Sequence, residues 1–254
     1  VSGAARVGLP RTADERARSS AAPSTDTAQP TGTGSTPRTG SAEPWVDDPF
    51  GRAVRAGQGP LWLRRADGSR LALEVERWCA PADGADHGLV LRCLGLPAPV
   101  LDLGCGPGRL VAALLAAGVP ALGVDVCAAS VEHTAGLGGL ALRRSVFDRL
   151  PAEGRWGGVL LADGNLGIGG DPAALLARAG ALLAPGGLLL VETAVQEVDE
   201  VADVRVEGPD GCGPSFRWAR CGPAATLRHA RTAGLERAER WTSHGRSFLA
   251  LTRP

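Results

Sequence analysis

The chain contains no lysine, no tyrosine and no methionine, and its single isoleucine is Ile168. Every basic side chain other than histidine is therefore an arginine, 27 in all, and 27 acidic residues bring the formal net charge to zero. A surface built to hold a polyanion needs a local excess of positive charge. The pairs Arg64-Arg65 and Arg143-Arg144 are short and isolated, so nucleic acid is not expected as a partner. No apolar run approaches the ~18 residues of a membrane span, and the first residues lack the apolar stretch of a secretory signal. Cytoplasmic residence with reduced thiols is the expectation. None of the six cysteines forms a CxxC pair, and the four histidines do not cluster with them along the chain, so no metal site is expected. What fills the composition instead is Ala, Gly, Arg, Leu and Val, the bias of a GC-rich and hence bacterial coding sequence.

Residues 1–44 are rich in Ser, Thr, Pro, Gly and Ala and poor in large apolar side chains. Such a segment buries too little surface to offset its ordering entropy, which predicts a disordered tail. Residues 45–95 read as a cap or lid. A short helix is predicted over 49–58, a hairpin from Leu61–Arg65 and Arg70–Val75 around Asp67-Gly68, and a helix over 84–95. From residue 96 to 254 the pattern becomes strand and helix in alternation. Short apolar runs at 99–103, 121–125, 141–145, 158–162 and 188–193 suit buried parallel strands. Helices are expected over 108–117, 128–137 and 171–183, with an abbreviated crossover between 145 and 158. Beyond Thr193 come a strand (201–208), a strand or loop (215–220), a helix (223–233) and a hairpin (236–242, 246–252). The fold class implied is α/β: a doubly wound, mostly parallel seven-stranded sheet ending in an antiparallel hairpin.

The strongest local signal is VLDLGCGPGRL, Val100–Leu110. A strand runs into glycines at alternate positions, Gly104, Gly106 and Gly108, and then into a helix. The glycines permit a tight turn and let a ligand approach the backbone, around Cys105. The start of the helix offers free N–H groups. Asp125 and Val126 follow at the end of the next strand, where a carboxylate can accept bonds from both hydroxyls of a ribose. Asp102 precedes the first glycine. A carboxylate there suits an ammonium better than a pyrophosphate, which favours S-adenosylmethionine over a dinucleotide.

VLDLGCGPGRL resembles motif I of the class I, Rossmann-like S-adenosylmethionine-dependent methyltransferases, and GVDV resembles their acidic second motif. SVFDRLP, 145–151, is similar to the third-strand motif beside the adenine, which implies Asp148 near the exocyclic amine and Phe147 beside the ring. WGGVLLADGNLGIGGDP, 156–172, resembles the fourth-strand motif at the transfer site, with Ala162 at its edge, and LLAPGGLLLVE, 182–192, the element after it. The resemblance covers about residues 95–195 and implies methyl transfer to an O, N or C atom. It does not identify the acceptor. The stretch after the fourth strand departs from the family in being unusually rich in glycine. No NPPY-type tetrapeptide follows, which argues against amide methylation of nucleic acid or protein and leaves a small-molecule acceptor.

Asp163 and Asn165 lie at the end of the fourth strand, where ligands bind in such sheets. They are the candidate catalytic residues: Asp163 to orient or deprotonate the acceptor, Asn165 to hydrogen-bond it or the cofactor. Both are also ordinary turn residues. His87, His133, His229 and His244 are assigned to exposed or turn positions. Trp62, Trp78, Phe216 and Trp218 serve either an acceptor pocket or the core. Same-fold alternatives are a cyclase, an aminopropyl transferase, a nicotinamide dehydrogenase and a non-catalytic binding module.

Overall fold

A computed structural model describes Trp45 and residues 49–254; the expected tail of residues 1–44 lies outside the described residues. The main sheet is built from short strands that are apolar throughout. β3 (Val100–Leu103) and β6 (Trp156–Leu161) are buried at every position. That pattern fits a parallel sheet covered on both faces. Side chains alternate faces along a strand, and the two cores follow this parity. Leu101, Leu103, Val159, Leu161, Leu189 and Val191 share one core with Leu175, Leu176 and Ala225. Val100, Leu160 and Leu190 share the other with Leu89, Leu110, Val111 and Leu114.

In chain order, β3 is followed by α4 (Arg109–Ala116), β4 (Ala121–Asp125), α5 (Ala128–Gly136), β5 (Ala141–Arg143), β6, α6 (Pro172–Leu182) and β7 (Leu183–Thr193). The crossover from β5 to β6 contains no helix, as its length predicts. The chain closes with α7 (Pro223–Thr232), β10 (Glu236–Ser243) and β11 (Arg246–Thr252). The seven strands lie in the order β10-β11-β7-β6-β3-β4-β5. β3, β4, β5, β6 and β7 pair parallel, while β11 joins β7 and β10 antiparallel. The chain moves one way from β3 to β4 and the other way to β6, which opens a crevice at the carboxyl ends of β3 and β6.

A second sheet, not expected from the sequence, has the order β2-β1-β8-β9. β1 (Trp62–Arg65) and β2 (Arg70–Ala72) form the expected hairpin. β8 (Asp199–Gly208) and β9 (Gly211–Cys221) form a much longer one inserted between β7 and α7. β1 pairs with β8 from Trp62↔Glu207 to Arg65↔Val204, so this sheet draws on both the 45–95 and the 96–254 segments. β2 was expected to reach Val75. It ends at Ala72 because β1, its partner, begins at Trp62. Val75 instead opens α2 (Val75–Cys79) and is fully buried, in a third core with Phe50, Leu61, Leu63, Val204 and Val206. α1 (Pro49–Ala56) and α3 (Gly84–Cys93) complete the N-terminal part. No helix among the described residues is long and apolar enough to cross a membrane.

Candidate active site

A cavity of ≈340 Å³ opens at the crevice between β3 and β6, walled by the glycine loop on one side and by residues of the N-terminal segment and β9 on the other. Of the residues singled out from sequence, Asp102, Gly104, Cys105, Gly106, Asp125, Val126, Phe147, Ala162, Asp163 and Asn165 line it. Gly108 and Asp148 do not.

The three glycines of the loop all have positive φ, at 73°, 53° and 88° for Gly104, Gly106 and Gly108, a region costly for residues with a Cβ. They differ in what a Cβ would meet. At Gly108 it would lie 2.3 Å from Thr134 Oγ1 on α5, and at Gly104 2.8 Å from Asn165 Nδ2. At Gly106 it would meet nothing within 4 Å. Gly108 is thus a packing glycine, whereas Gly106 leaves open space against the cavity.

Asp125 ends β4. Its Oδ2 accepts from Gly106 N at 2.8 Å and its Oδ1 from Cys127 N at 2.8 Å. A carboxylate has about four lone-pair sites, so about two stay free after these bonds. Burial pushes its pKa up against the opposing hydrogen bonds from Cys127 and Gly106. Asp102 is buried, and desolvation, then the nearby Asp163 and Asp125 carboxylates, push its pKa up to about 8.

Asp163 closes β6 in a left-handed turn with φ 55°, a conformation that Asp tolerates better than most residues. Its Oδ1 accepts from Arg77 Nη2 at 2.7 Å and Arg246 Nη2 at 3.0 Å, and its Oδ2 from Arg109 Nη2 at 2.5 Å. Burial would raise its pKa, but the charges of Arg109, Arg77 and Arg246 outweigh it and hold the carboxyl below the usual range. So held, Asp163 is a weak proton acceptor. Asn165 donates from Nδ2 to Leu103 O at 3.0 Å and Gly104 O at 2.7 Å, bracing the turn of the glycine loop.

The arginine cluster was not singled out from sequence. Arg109 also contacts Asp86 of α3. Arg246 of β11 reaches Asp86 Oδ1 at 2.8 Å and grips Glu192 with two bonds, Nε to Oε1 at 2.8 Å and Nη2 to Oε2 at 2.7 Å. A signal was present. Arg109 starts a helix, where the macrodipole disfavours a cation, and this implies a nearby carboxylate.

No histidine lines the cavity. His133 Nδ1 lies 2.7 Å from Pro107 O, under the loop, rather than free in solvent. His87 is exposed, and His244 sits in the β10–β11 turn with φ 49°. His229 Nε2 is 2.9 Å from Asp199 Oδ1, and Cys221 Sγ is 3.7 Å from the same oxygen. Histidine and cysteine thus meet here in space, although they are not clustered in sequence. The ligand atoms of these three residues lie within 4.8 Å of one another, but Arg228 already holds the other Asp199 oxygen at 3.0 Å. Trp78, Phe216 and Trp218 line the cavity, joined by Trp45, Phe50 and Leu73. Trp62 lies outside it, with the Arg70 guanidinium 5.5 Å from its ring centroid.

A sequence family described as a methyltransferase domain matches residues 85–230. No curated protein sequence matches the chain. Among solved structures, an S-adenosylmethionine-dependent methyltransferase from Bacteroides fragilis in complex with S-adenosyl-L-homocysteine superposes with a TM-score of 0.69 at 20% identity, covering 83% of this chain and 97% of that one. The CcbJ methyltransferase from Streptomyces caelestis gives 0.53 at 20% identity, covering 70% and 98%. The glycopeptide N-methyltransferase MtfA complexed with S-adenosylmethionine gives 0.51 at 16% identity, covering 68% and 95%. At these identities the likeness is one of fold.

Proposed function

Since the chain belongs to the methyltransferase-domain family, we propose that it uses S-adenosylmethionine to methylate an O, N or C atom of a small-molecule acceptor in the cavity at β3 and β6. The observation that carries the site assignment is Asp125, held at the tip of β4 by two backbone N–H groups with lone pairs to spare for a ribose diol. The other residues fit the same cofactor. Gly106 leaves room against the cavity where a side chain would intrude. Asp102 is a buried carboxyl that gains from an ammonium beside it. Val126, Phe147 and Ala162 offer apolar surface for a purine.

When bound, S-adenosylmethionine supplies a methyl group already activated by its positively charged sulfur. Asp102, Asp125 and the loop at Gly104–Gly106 would hold that donor, and the acceptor would lie in the remainder of the cavity. Any proton on the acceptor leaves to water at the cavity mouth. The protein's part is in-line placement and exclusion of water from the line of attack. Asp163 and Asn165 serve as positioning residues in this reading. Asp163 gathers Arg109, Arg77 and Arg246 behind the glycine loop, and Asn165 fixes that loop's carbonyls. Trp45, Phe50 and Trp78 of the N-terminal segment close the cavity as a lid, and the cavity volume suits a small acceptor. Six free thiols support residence in a reducing compartment, the cytoplasm.

Two measurements test this. S-adenosylhomocysteine should raise the melting temperature of the purified protein and NAD should not. Methyl-labelled cofactor incubated with the protein and a small-molecule extract should yield a labelled product. A protein stabilised by NAD alone, or label found only in macromolecules, would overturn the reading.

A further inference from the structure

The glycine-rich stretch after the fourth strand begins with Asp163 and Asn165 at the proposed cofactor loop, and its later glycines shape the cavity's other half. A Cβ at Gly167 would lie 2.3 Å from Trp218 Cε2, and at Gly170 2.6 Å from Arg217 Cβ. At Gly169 it would lie 2.9 Å from Phe147 Cε2. Glycine at these positions lets β9 and Phe147 close in around the cavity. The wall so formed is aromatic. Trp45 meets Phe50, Phe216 and Trp218 with centroids at 5.1, 5.1 and 5.5 Å, and Phe50 meets Trp78 at 6.3 Å. All these pairs are tilted or edge-on, with interplanar angles from 51° to 90°. None of these pairs is stacked in parallel, unlike Trp241 and Phe248, which stack at 13°.

Two polar features accompany the rings. Trp78 lines the cavity, and its indole Nε1–H is buried with no acceptor among the described residues. Leaving such a donor unpaired is costly, so an acceptor atom on a ligand is favoured. Arg217 also lines the cavity, is exposed, and makes no ion pair among the described residues. The lining carboxylates are Asp102, Asp125 and Asp163. The first two belong to the proposed cofactor site and the third is shared by three arginines. An aromatic wall can also hold an organic cation, but here the uncommitted charge is positive.

We propose that the methyl acceptor is a planar conjugated molecule, neutral or anionic, that lies against the rings of Trp45, Trp218 and Phe216 and accepts a hydrogen bond from Trp78 Nε1–H. The proposal rests on the methyl-transfer reading above. Arg217 meets a negative substituent at the mouth, and the glycines at 167, 169 and 170 set the width of the chamber.

The test uses the full chain saturated with S-adenosylhomocysteine and titrated calorimetrically with 6-hydroxy-2-naphthoate, cyclohexanecarboxylate and choline. Naphthoate should bind most tightly. Trp78→Phe keeps the ring and deletes the donor, and should weaken naphthoate roughly fivefold. Trp218→Ala should weaken it by about tenfold or more, and Arg217→Ala by a few-fold. S-adenosylhomocysteine affinity, measured first on each variant, should stay within about twofold of the parent, which also shows that the site is folded. Tighter binding of choline would replace the proposal with a cationic acceptor. Equal binding of cyclohexanecarboxylate, no binding of naphthoate, or wild-type naphthoate affinity in both tryptophan variants would overturn it. Failure to bind S-adenosylhomocysteine at all would instead strike the methyl-transfer reading, and the proposal with it.

Discussion

Arg109 Nη2 donates to Asp163 Oδ2 at 2.5 Å, joining the residue that follows the glycine loop to the end of a strand 54 positions later. Both are largely withdrawn from water, with side-chain exposures of 3% and 18%. The contact anchors a wider cluster. Arg77 brings α2, Asp86 brings α3, and Arg246 and Glu192 bring β11 and β7 to the same point. The N-terminal segment is therefore fastened to the sheet directly behind the proposed cofactor loop. Low local dielectric makes such a cluster strong when complete and costly when one member is lost.

Asp163→Asn should destabilise the protein by about 3 kcal/mol near neutral pH, because the buried Arg109 and the partly buried Arg77 and Arg246 lose their common anion. The folded pKa of Asp163 is depressed below the ordinary carboxyl value of 3.8. Its contribution is therefore present above pH 3.8 and lost as pH falls through the lower folded value. The variant should lose stability at pH 7 and show a flatter acid limb in urea titrations. A loss under about 1 kcal/mol would place this cluster with exposed surface ion pairs.

Asp102 carries the opposite sign. Its folded pKa is raised from 3.8 to about 8 by burial. Between those values the folded protein holds a proton that the unfolded chain has released, so this group's contribution to stability falls as pH rises from 3.8 to about 8. The difference in stability between wild type and Asp102→Asn should follow that slope. An ammonium beside Asp102 favours the ionised form, so S-adenosylmethionine binding at pH 7 should release a proton. Calorimetry in buffers of different ionisation enthalpy should detect that release in the wild type and not in Asp102→Asn.

The loop glycines should separate by phenotype. Gly106→Ala puts a methyl into open space at φ 53°. It should cost about 1–2 kcal/mol of stability and weaken S-adenosylhomocysteine by about tenfold or more. Gly108→Ala drives a Cβ to within 2.3 Å of Thr134 Oγ1. It should cost more stability, in part recovered by Thr134→Ala. Thermal melts with and without ligand distinguish the two.

Asn165→Asp replaces two donors with a carboxylate aimed at the carbonyls of Leu103 and Gly104. The KM for S-adenosylmethionine should rise about tenfold or more, as two hydrogen bonds near 1 kcal/mol each are lost. Asn165→Gln should recover part of it. A fall in kcat with KM unchanged would point to contact with the acceptor instead.

Much of this was legible in one dimension. β4 spans Ala121–Asp125 as predicted, and β3, β5, β6, β7 and β11 overlap the runs expected for them. The cofactor candidates from Asp102 to Gly106, with Asp125 and Ala162, share one cavity. Gly108 and Asp148 lie elsewhere. Gly108 packs on Thr134, and Asp148 accepts from Ser145 N at 3.2 Å in its own exposed turn. A glycine packed against a neighbouring helix and one facing open space at a cavity are the same letter. Only the surroundings separate them.

Local chemistry is written in order along the chain: apolar period, turn residues, and a carboxylate about 20 positions beyond a glycine loop. That was enough to determine the seven-stranded sheet and the family, and to single out the loop proposed for the cofactor. Contacts between distant segments carry no such period. β1 pairing with β8, three arginines from α2, α4 and β11 meeting at Asp163, and an aromatic wall assembled from Trp45, Phe50, Trp78, Phe216 and Trp218 were decided only by the tertiary structure. Each depends on which faces remain uncovered once the sheet has formed, and burial of those faces selects partners by proximity in space rather than by spacing in sequence.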